Sequence, residues 1–228
     1  ERKYKFINSK KSPNEIVGYK PSKNFNKVRH KIPMLSLSNA FNENDLLNFE
    51  KKILNFISKK ENFEITYSAE PKIDGISASL IYQNGKFIKG LSRGDGNEGE
   101  DITDNLATIK DIPKKIISKN FPTEIDIRGE VFIQNSDFVT LNKNFANPRN
   151  AASGSLRQKD PEETRKIPLK FIAYTHGYEK GLNTKNQSDY LKQLNEWGFK
   201  TNSLNRLITG VENLVINYDK IEKKRTEL

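Results

Sequence analysis

Cysteine is absent from the 228-residue sequence, and histidine occurs only twice, at His30 and His176. The first absence excludes disulfide bonds and cysteine-ligated zinc, and two histidines are too few for a histidine-rich metal site. The sequence also lacks an apolar run of about 18 residues, the length that a transmembrane helix needs. We therefore expect a cytoplasmic protein that spans no membrane and holds no metal through its own side chains.

Acidic residues are in the minority, with 29 aspartates and glutamates against 39 lysines and arginines and a formal net charge of +10. This excess favours a polyanionic partner, nucleic acid first, because contacts with phosphates release counterions. The alternative is that the lysines only solvate the surface. Hydrophobic residues make up 34% of the chain and aromatic residues 10%, which argues against disorder.

The spacing of apolar residues predicts a mixture of helices and strands. Residues 1–30 are basic and irregular, and we interpret them as an arm or linker. Asn84-Gly85 between two apolar runs indicates a β-hairpin. Further strands are predicted at 124–133 and 169–174, and helices at 44–59, 136–141, from 147 onward, at 188–197 and at 211–221. These elements predict an α+β fold with antiparallel sheets flanked by helices.

Glu70, Lys72 and Asp74 alternate along the sequence, so their side chains would share one face of an extended strand. Two interpretations stay open for this segment. One is a salt-bridged ladder on the surface. The other makes Lys72 a nucleophile, which must attack as the neutral amine; a nearby cation favours that form and a flanking carboxylate opposes it. A bound divalent metal could offset the carboxylates.

The segment from Gly94 to Gly99 matches the pattern G-x-G-x-x-G, which in dinucleotide-binding folds presents backbone N–H groups to a pyrophosphate. Four acidic residues in or beside it would repel such an anion: Asp95, Glu98, Glu100 and Asp101. We therefore predict a tight polar turn after the hairpin and no dinucleotide fold. Arg93 precedes the turn and is a candidate cation for a phosphate or a ribose.

Glu130 lies within the apolar strand predicted at 124–133. A carboxylate in such a place needs a partner, which could be a metal, an arginine or a ribose hydroxyl. Pairing with Arg128 or a nearby lysine is the structural alternative.

Arg149 and Arg157 stand eight positions apart in the run 147–158, with asparagine, serine and small residues between them. Arginine binds phosphate through two parallel hydrogen bonds, and N–H groups at a helix terminus add donors. Small residues allow a ligand to approach the backbone closely. The pair is therefore a candidate phosphate clamp, and an ordinary polar turn followed by a helix is the alternative.

The order and spacing of five segments closely resemble the adenylation domain of bacterial NAD-dependent DNA ligases. They are 33–41, 72–75 (Lys-Ile-Asp-Gly), 93–103, 128–131 (Arg-Gly-Glu-Val) and 147–158, of which the last is the most specific. The resemblance covers roughly residues 11–200 and implies the nucleotidyltransferase fold. Residues 31–228 would form the adenylation domain, and residues 1–30 would be the arm from a missing N-terminal domain.

The resemblance also implies a reaction in three steps. Lys72 would first take AMP from NAD and then pass it to the 5′-phosphate at a nick in double-stranded DNA. In the third step the 3′-hydroxyl would displace AMP and seal the strand. Mg²⁺ would offset phosphoryl charge throughout. Carried over by position, Glu70 would bind the adenine amino group and Asp74 would contact the ribose and hold Lys72. Ser36 and Leu37 would line the adenosine pocket, Arg93 and Glu130 would contact ribose and phosphate, and Arg149 and Arg157 would bind phosphates.

Two features depart from the family pattern. Ser38 stands where aspartate is frequent, and no segment matches the later Asp-Gly-x-x-x-Lys motif, so the domain would be truncated before its last motifs. We therefore expect a monomeric fragment that self-adenylates poorly and does not seal nicks by itself. The alternatives are a relative in the same superfamily, such as an ATP-dependent ligase or a capping-type transferase, and a non-catalytic basic module that binds nucleic acid.

Overall fold

The computed structural model describes residues 25–59, 63–141 and 145–224, and within these ranges the chain forms eight strands and seven helices. The strands are β1 (Lys27–Arg29), β2 (Thr66–Ala69), β3 (Ile76–Gln83), β4 (Lys86–Ser92), β5 (Glu98–Glu100), β6 (Glu124–Phe132), β7 (Lys170–Lys180) and β8 (Arg206–Thr209). The helices are α1 (Glu43–Phe56), α2 (Thr103–Leu106), α3 (Asn135–Val139), α4 (Pro148–Leu156), α5 (Pro161–Arg165), α6 (Gln187–Glu196) and α7 (Val211–Lys224). The predicted α+β class is confirmed.

The central sheet has the strand order β4-β3-β6-β7, and every neighbouring pair is antiparallel. β3 and β4 form the predicted hairpin. Asn84 and Gly85 at its tip have φ values of 46° and 73°, the left-handed backbone that a two-residue hairpin turn requires. The register of β3 and β6 places Ser77 opposite Glu130, and the candidate site depends on this pairing.

The hydrophobic core lies on one face of the central sheet. Leu80, Ile127 and Phe171, on three adjacent strands, are completely buried on that face, whereas Ser77, Arg128 and Glu130 belong to the opposite one. Helix α4 packs against β3 and β6, whereas α6 packs against β7. Aromatic rings pack together at the part of the core next to α6, where the ring centroids of Trp197 and Phe121 are 4.7 Å apart. Residues of both helices join the apolar side chains of the sheet in one buried cluster, which fixes the strands in place.

Two smaller antiparallel sheets flank this core. β1 pairs with β5, and β2 pairs with β8 beside helices α1 and α7. β1 was not predicted, because its three residues carry two charges and form part of the segment interpreted as an arm. Residues 1–24 of that segment lie outside the described ranges. No helix within the described ranges is long and apolar enough to cross a bilayer.

Several predicted boundaries were wrong in detail. Helix α1 begins at Glu43 and ends at Phe56, against a predicted range of 44–59, because Asn42 caps it by accepting from the Asp45 N–H at 3.0 Å. Helix α3 begins at Asn135 and ends at Val139, against a predicted range of 136–141. Strand β7 continues to Lys180, six residues beyond the predicted end. Residues 70–75 form an irregular connection between β2 and β3 and not the extended strand that the alternation of charges suggested.

Candidate active site

The connection 70–75 lies close against strand β6. Pro71 has no N–H to give to a sheet, which disfavours continuation of β2. A Cβ atom added at Gly75 would come within 2.3 Å of the Val131 carbonyl oxygen and 2.9 Å of Glu130 Cγ. Glycine therefore permits an approach that brings Lys72 and Asp74 beside Glu130, and the two charged side chains stay exposed.

Glu130 is the buried centre of this region, with 5% of its surface exposed. The Ser77 hydroxyl donates to its Oε2 atom at 3.0 Å, and the Tyr174 hydroxyl lies 3.5 Å from the same oxygen. Burial raises the pKa of Glu130 above its ordinary value, and the Ser77 hydrogen bond and the positive charges of Lys72, Arg149 and Arg93 oppose that rise. The positive charges of three separate segments thus favour the ionised form of one buried carboxyl group.

Arg149 approaches from the start of helix α4. Asn147 caps this helix by accepting from the Asn150 N–H at 2.7 Å, and Pro148 occupies the first helical position, so the helix predicted from 147 onward is confirmed. Arg149 Nη1 donates to Asp74 Oδ1 at 2.8 Å, although both side chains are largely exposed. Asp74 therefore pairs with Arg149, and no ion pair joins Lys72 to either flanking carboxylate within the described ranges, so the salt-bridged ladder does not form.

Arg93 stands before the acidic turn. Asp95 Oδ1 accepts from the N–H groups of Asn97 and Glu98, both at 2.9 Å, and these bonds lower the pKa of Asp95. Gly94 has a φ of 58°, and a Cβ there would lie 1.8 Å from the Glu98 carbonyl oxygen. The predicted tight turn is confirmed. We call Lys72, Asp74, Arg93, Glu130 and Arg149 the Lys72 cluster.

Glu70 is linked to this cluster through residues that the sequence did not reveal. Its Oε1 atom accepts from Ser68 Oγ at 3.0 Å and from Gln187 Nε2 at 2.9 Å. Gln187 Nε2 also donates to the Tyr174 carbonyl oxygen at 2.6 Å. Burial raises the pKa of the Tyr174 hydroxyl to about 12, so Tyr174 stays a neutral donor near Glu130. Ser77 could have been found only from the register of β3 and β6, and no local pattern marks Tyr174 or Gln187.

Three predicted site residues do not join this group. Arg157 Nε donates to Glu100 Oε2 at 2.9 Å, and the Glu100 side chain is fully buried. Ser36 and Leu37 lie in an irregular segment before α1, where Leu37 is 76% exposed. Arg128, the alternative partner of Glu130, pairs instead with Asp126 at 3.0 Å, so that alternative was wrong.

A ribbon of backbone hydrogen bonds holds the turn that follows Arg93. The Asp101 N–H donates to the Asn26 carbonyl oxygen, the His30 N–H to Asn97, and the Met34 N–H to Gly96, each at 2.8 Å. His30 Nε2 lies 3.2 Å from the Arg93 carbonyl oxygen, which can only accept, so Nε2 carries the proton. We call residues 26–34 with 96–101 the β1–β5 ribbon.

The chemistry of the Lys72 cluster suits a phosphorylated ligand. An exposed lysine and two arginines lie in the segments around the buried Glu130, and hydroxyl and carboxyl groups beside them can contact a sugar. Within residues 25–59, 63–141 and 145–224, no group of three or more histidines and carboxylates could hold a metal ion.

Comparison with known proteins agrees with this geometry. The model of the family described as the NAD-dependent DNA ligase adenylation domain matches residues 22–228. A DNA ligase of Pelagibacter ubique (strain HTCC1062) is 68% identical over the whole chain, which covers 34% of that relative. DNA ligases of Bradyrhizobium sp. (strain ORS 278) and Hahella chejuensis are 44% and 42% identical over 100% and 95% of the chain, and the chain covers 33% of each.

The antiparallel α+β core, with the Lys72 cluster at its edge, is a nucleotidyltransferase fold. More specifically, the chain belongs to the NAD-dependent DNA ligase adenylation domain family. It spans about a third of the length of the curated relatives it matches.

Proposed function

We propose that this protein is an NAD-dependent DNA ligase and that this chain is the part that accepts AMP from NAD on Lys72. The observation that carries the proposal is the Arg149–Asp74 ion pair at 2.8 Å, which joins the start of α4 to the segment that holds Lys72, beside the buried Glu130. The family match and the 68% identity to a DNA ligase support it. In the complete reaction the AMP would move to the 5′-phosphate of a nick, and the 3′-hydroxyl would displace it and seal the strand.

The first step is nucleophilic substitution at the α-phosphorus of NAD. The neutral Lys72 amine forms the new N–P bond as the bond from phosphorus to the bridging oxygen breaks. That oxygen leaves with its electron pair on nicotinamide mononucleotide, and the amine releases a proton. Arg149 would stabilise the negative charge that develops on the phosphoryl oxygens, because a positioned cation binds this charge more strongly than it binds the ground state.

Each of the remaining site residues would contact a different part of the nucleotide. We propose that Glu70 accepts from the adenine amino group and that Asp74 contacts the ribose and orients Lys72. Glu130 and Arg93 would contact ribose and phosphate. Ser36 and Leu37 would cover the adenosine only if their exposed segment moved against it. Arg157 would reach a phosphate only in addition to its pairing with Glu100.

Magnesium fits this site only as a companion of the phosphates. Mg²⁺ is usually bound through one or two carboxylates together with substrate phosphate oxygens and water. Asp74 and Glu130 could supply such carboxylates, whereas the described residues contain no cluster able to hold the ion alone. When bound, Mg²⁺ would neutralise part of the phosphoryl charge.

We propose that nicked double-stranded DNA is the second substrate and that lysine and arginine side chains bind its phosphates, in keeping with the net charge of +10. We also propose a cytoplasmic monomer, in which residues 31–228 form the adenylation domain and residues 1–30 form an arm.

Intact-mass measurement after incubation with NAD and Mg²⁺ tests the proposal directly. We expect the full product of the gene that encodes this chain to gain one AMP, Lys72→Ala to gain none, and the control Lys110→Ala to behave as wild type. The 228-residue chain alone should gain AMP poorly. No AMP on the folded gene product, together with salt-dependent DNA binding that Lys72→Ala leaves intact, would favour a non-catalytic nucleic-acid-binding module instead.

A further inference from the structure

Gln187 is the first residue of α6, and its side chain bridges two segments of the site. Its Nε2 atom donates to Glu70 Oε1 at 2.9 Å and to the Tyr174 carbonyl oxygen at 2.6 Å. Both partners can only accept, so the amide must turn its NH2 group toward them. The orientation of the Gln187 amide is therefore fixed by chemistry.

Glu70 is held in one rotational position by this contact. Oε1 accepts from Gln187 on one side and from Ser68 Oγ, at 3.0 Å, on the other. The other oxygen, Oε2, has no hydrogen-bond donor among the described residues. Two donors on one oxygen fix the plane of the carboxylate and leave the other oxygen as the acceptor for a ligand.

The position of Gln187 itself is rigid. Asn186 caps α6 by accepting from the Asp189 N–H at 2.9 Å. Tyr190 and Leu194 of the same helix are almost completely buried, and the Tyr190 ring packs on His176 of β7 at 4.9 Å between centroids. The donor to Glu70 is thus fixed to the central sheet through α6.

We infer that Gln187 is a positioning residue that sets the Glu70 carboxylate to accept from the exocyclic amino group of adenine. This inference rests on the proposed function. A fixed acceptor distinguishes adenine from hypoxanthine, because the 6-oxygen of hypoxanthine would face the carboxylate with no hydrogen to donate. A carboxylate free to rotate loses part of that distinction, since it can turn away from the unfavourable oxygen.

The test compares AMP transfer to the full gene product from NAD and from nicotinamide hypoxanthine dinucleotide, in single turnovers at several concentrations. Gln187→Met removes the donor and keeps the side-chain length. We expect the preference for NAD to fall about fivefold, through a higher half-saturating NAD concentration, while the maximal rate changes less than about twofold. Gln193→Met, on the same helix, is the matched control, because the Gln193 side-chain oxygen has no partner in the described structure.

Each outcome decides the inference. An equal loss with both dinucleotides, or an unchanged preference, would overturn it and leave Gln187 a structural residue. If Gln187→Met fails to fold by circular dichroism, Ser68→Ala removes the second donor to Oε1 and should lower the same preference by a smaller factor. If wild type gains no AMP from either dinucleotide, the proposed function fails, and the inference fails with it.

Discussion

The Lys72 cluster and the β1–β5 ribbon meet opposite ends of helix α4 through charged pairs, and these two pairs differ in their exposure to solvent. At the start of the helix, Arg149 pairs with Asp74, whose side chain is 80% exposed. At the end of the helix, Arg157 pairs with Glu100, whose side chain is fully buried. An exposed pair exchanges partners at little cost in free energy, whereas a buried pair resists separation because desolvated charge has no substitute for its partner.

This difference explains how one nine-residue helix can serve two purposes. The exposed pair keeps Arg149 close to Lys72 and leaves it able to turn toward a phosphate. The buried pair fixes the helix to β5 and so to the turn after Arg93. The sequence run 147–158 suggested a single phosphate clamp. In the structure Arg149 at one end is exposed and Arg157 at the other pairs with a buried carboxylate, and we propose that only the first end faces a ligand.

The largest effect is expected for Arg149→Ala. AMP transfer should fall about a hundredfold, because a positioned charge on the phosphoryl oxygens is lost. The free energy of unfolding should change by less than about 0.5 kcal/mol, as for other exposed pairs. Single-turnover mass measurement and urea denaturation report the two quantities. Arg165→Ala is the control, since Arg165 makes an equally exposed pair with Glu162; an equal loss of transfer in both variants would refute the assignment.

Arg157→Ala should show the reverse pattern. Removing a charged donor from fully buried Glu100 should lower the free energy of unfolding by about 2 kcal/mol. AMP transfer measured well below the unfolding temperature should change far less than in Arg149→Ala. Arg157→Lys, which keeps the charge, should lose less stability. If Arg157→Ala were as stable as wild type and inactive, the two ends of α4 would not differ as proposed.

Glu130→Gln should separate stability from activity within the Lys72 cluster. The pKa of Glu130 is raised in the folded protein, chiefly by burial, so its contribution to stability is greatest below the ordinary value of 4.5 and is lost as pH rises through the folded value. Near neutral pH the uncharged glutamine should therefore raise the melting temperature by about 1–3 °C. AMP transfer should fall at least about tenfold. Lower stability at neutral pH would contradict this account.

The smallest effect concerns His30 in the β1–β5 ribbon. Burial, the main cause, lowers the pKa of His30 below 6.5 in the folded protein, and Nδ1 is buried without a hydrogen-bond partner among the described residues. Its contribution to stability is present above pH 6.5 and is lost as pH falls through the folded value. Urea denaturation at pH 7.5 and pH 5.5 should show this loss, at most about 1 kcal/mol, in wild type and His176→Gln. The free energy of unfolding of His30→Gln should fall less between pH 7.5 and pH 5.5, because glutamine does not take up a proton.

Much of the core could be predicted because local chemistry decided it. Asn84-Gly85 specified the hairpin, and Asn147-Pro148 specified the start of α4. The connection 70–75 could not be predicted from its alternating charges, because its path depends on the contact of Gly75 with β6. The roles of Lys72, Arg149 and the other predicted site residues stay proposals.

The same limit applies to the neighbours of the predicted residues. Ser77 meets Glu130 only through strand register, and Gln187 meets Glu70 across more than a hundred positions of sequence. The burial of Glu100, which separates the environments of the two arginines, likewise depends on β5 pairing with β1. No local sequence pattern predicts such contacts, because each joins residues that are far apart in the sequence and come together only in the folded chain.

The β1–β5 ribbon places a particular constraint on how this protein can vary. It is joined by backbone N–H and carbonyl groups, and the side chains of Lys27 and Arg29 are exposed. Substitutions at those two positions should therefore be tolerated in natural variants. Loss or gain of one residue there would shift the pairing, turn alternate side chains to the opposite face and displace Arg93. Within this stretch we therefore expect the number of residues to be more strongly constrained than their identity.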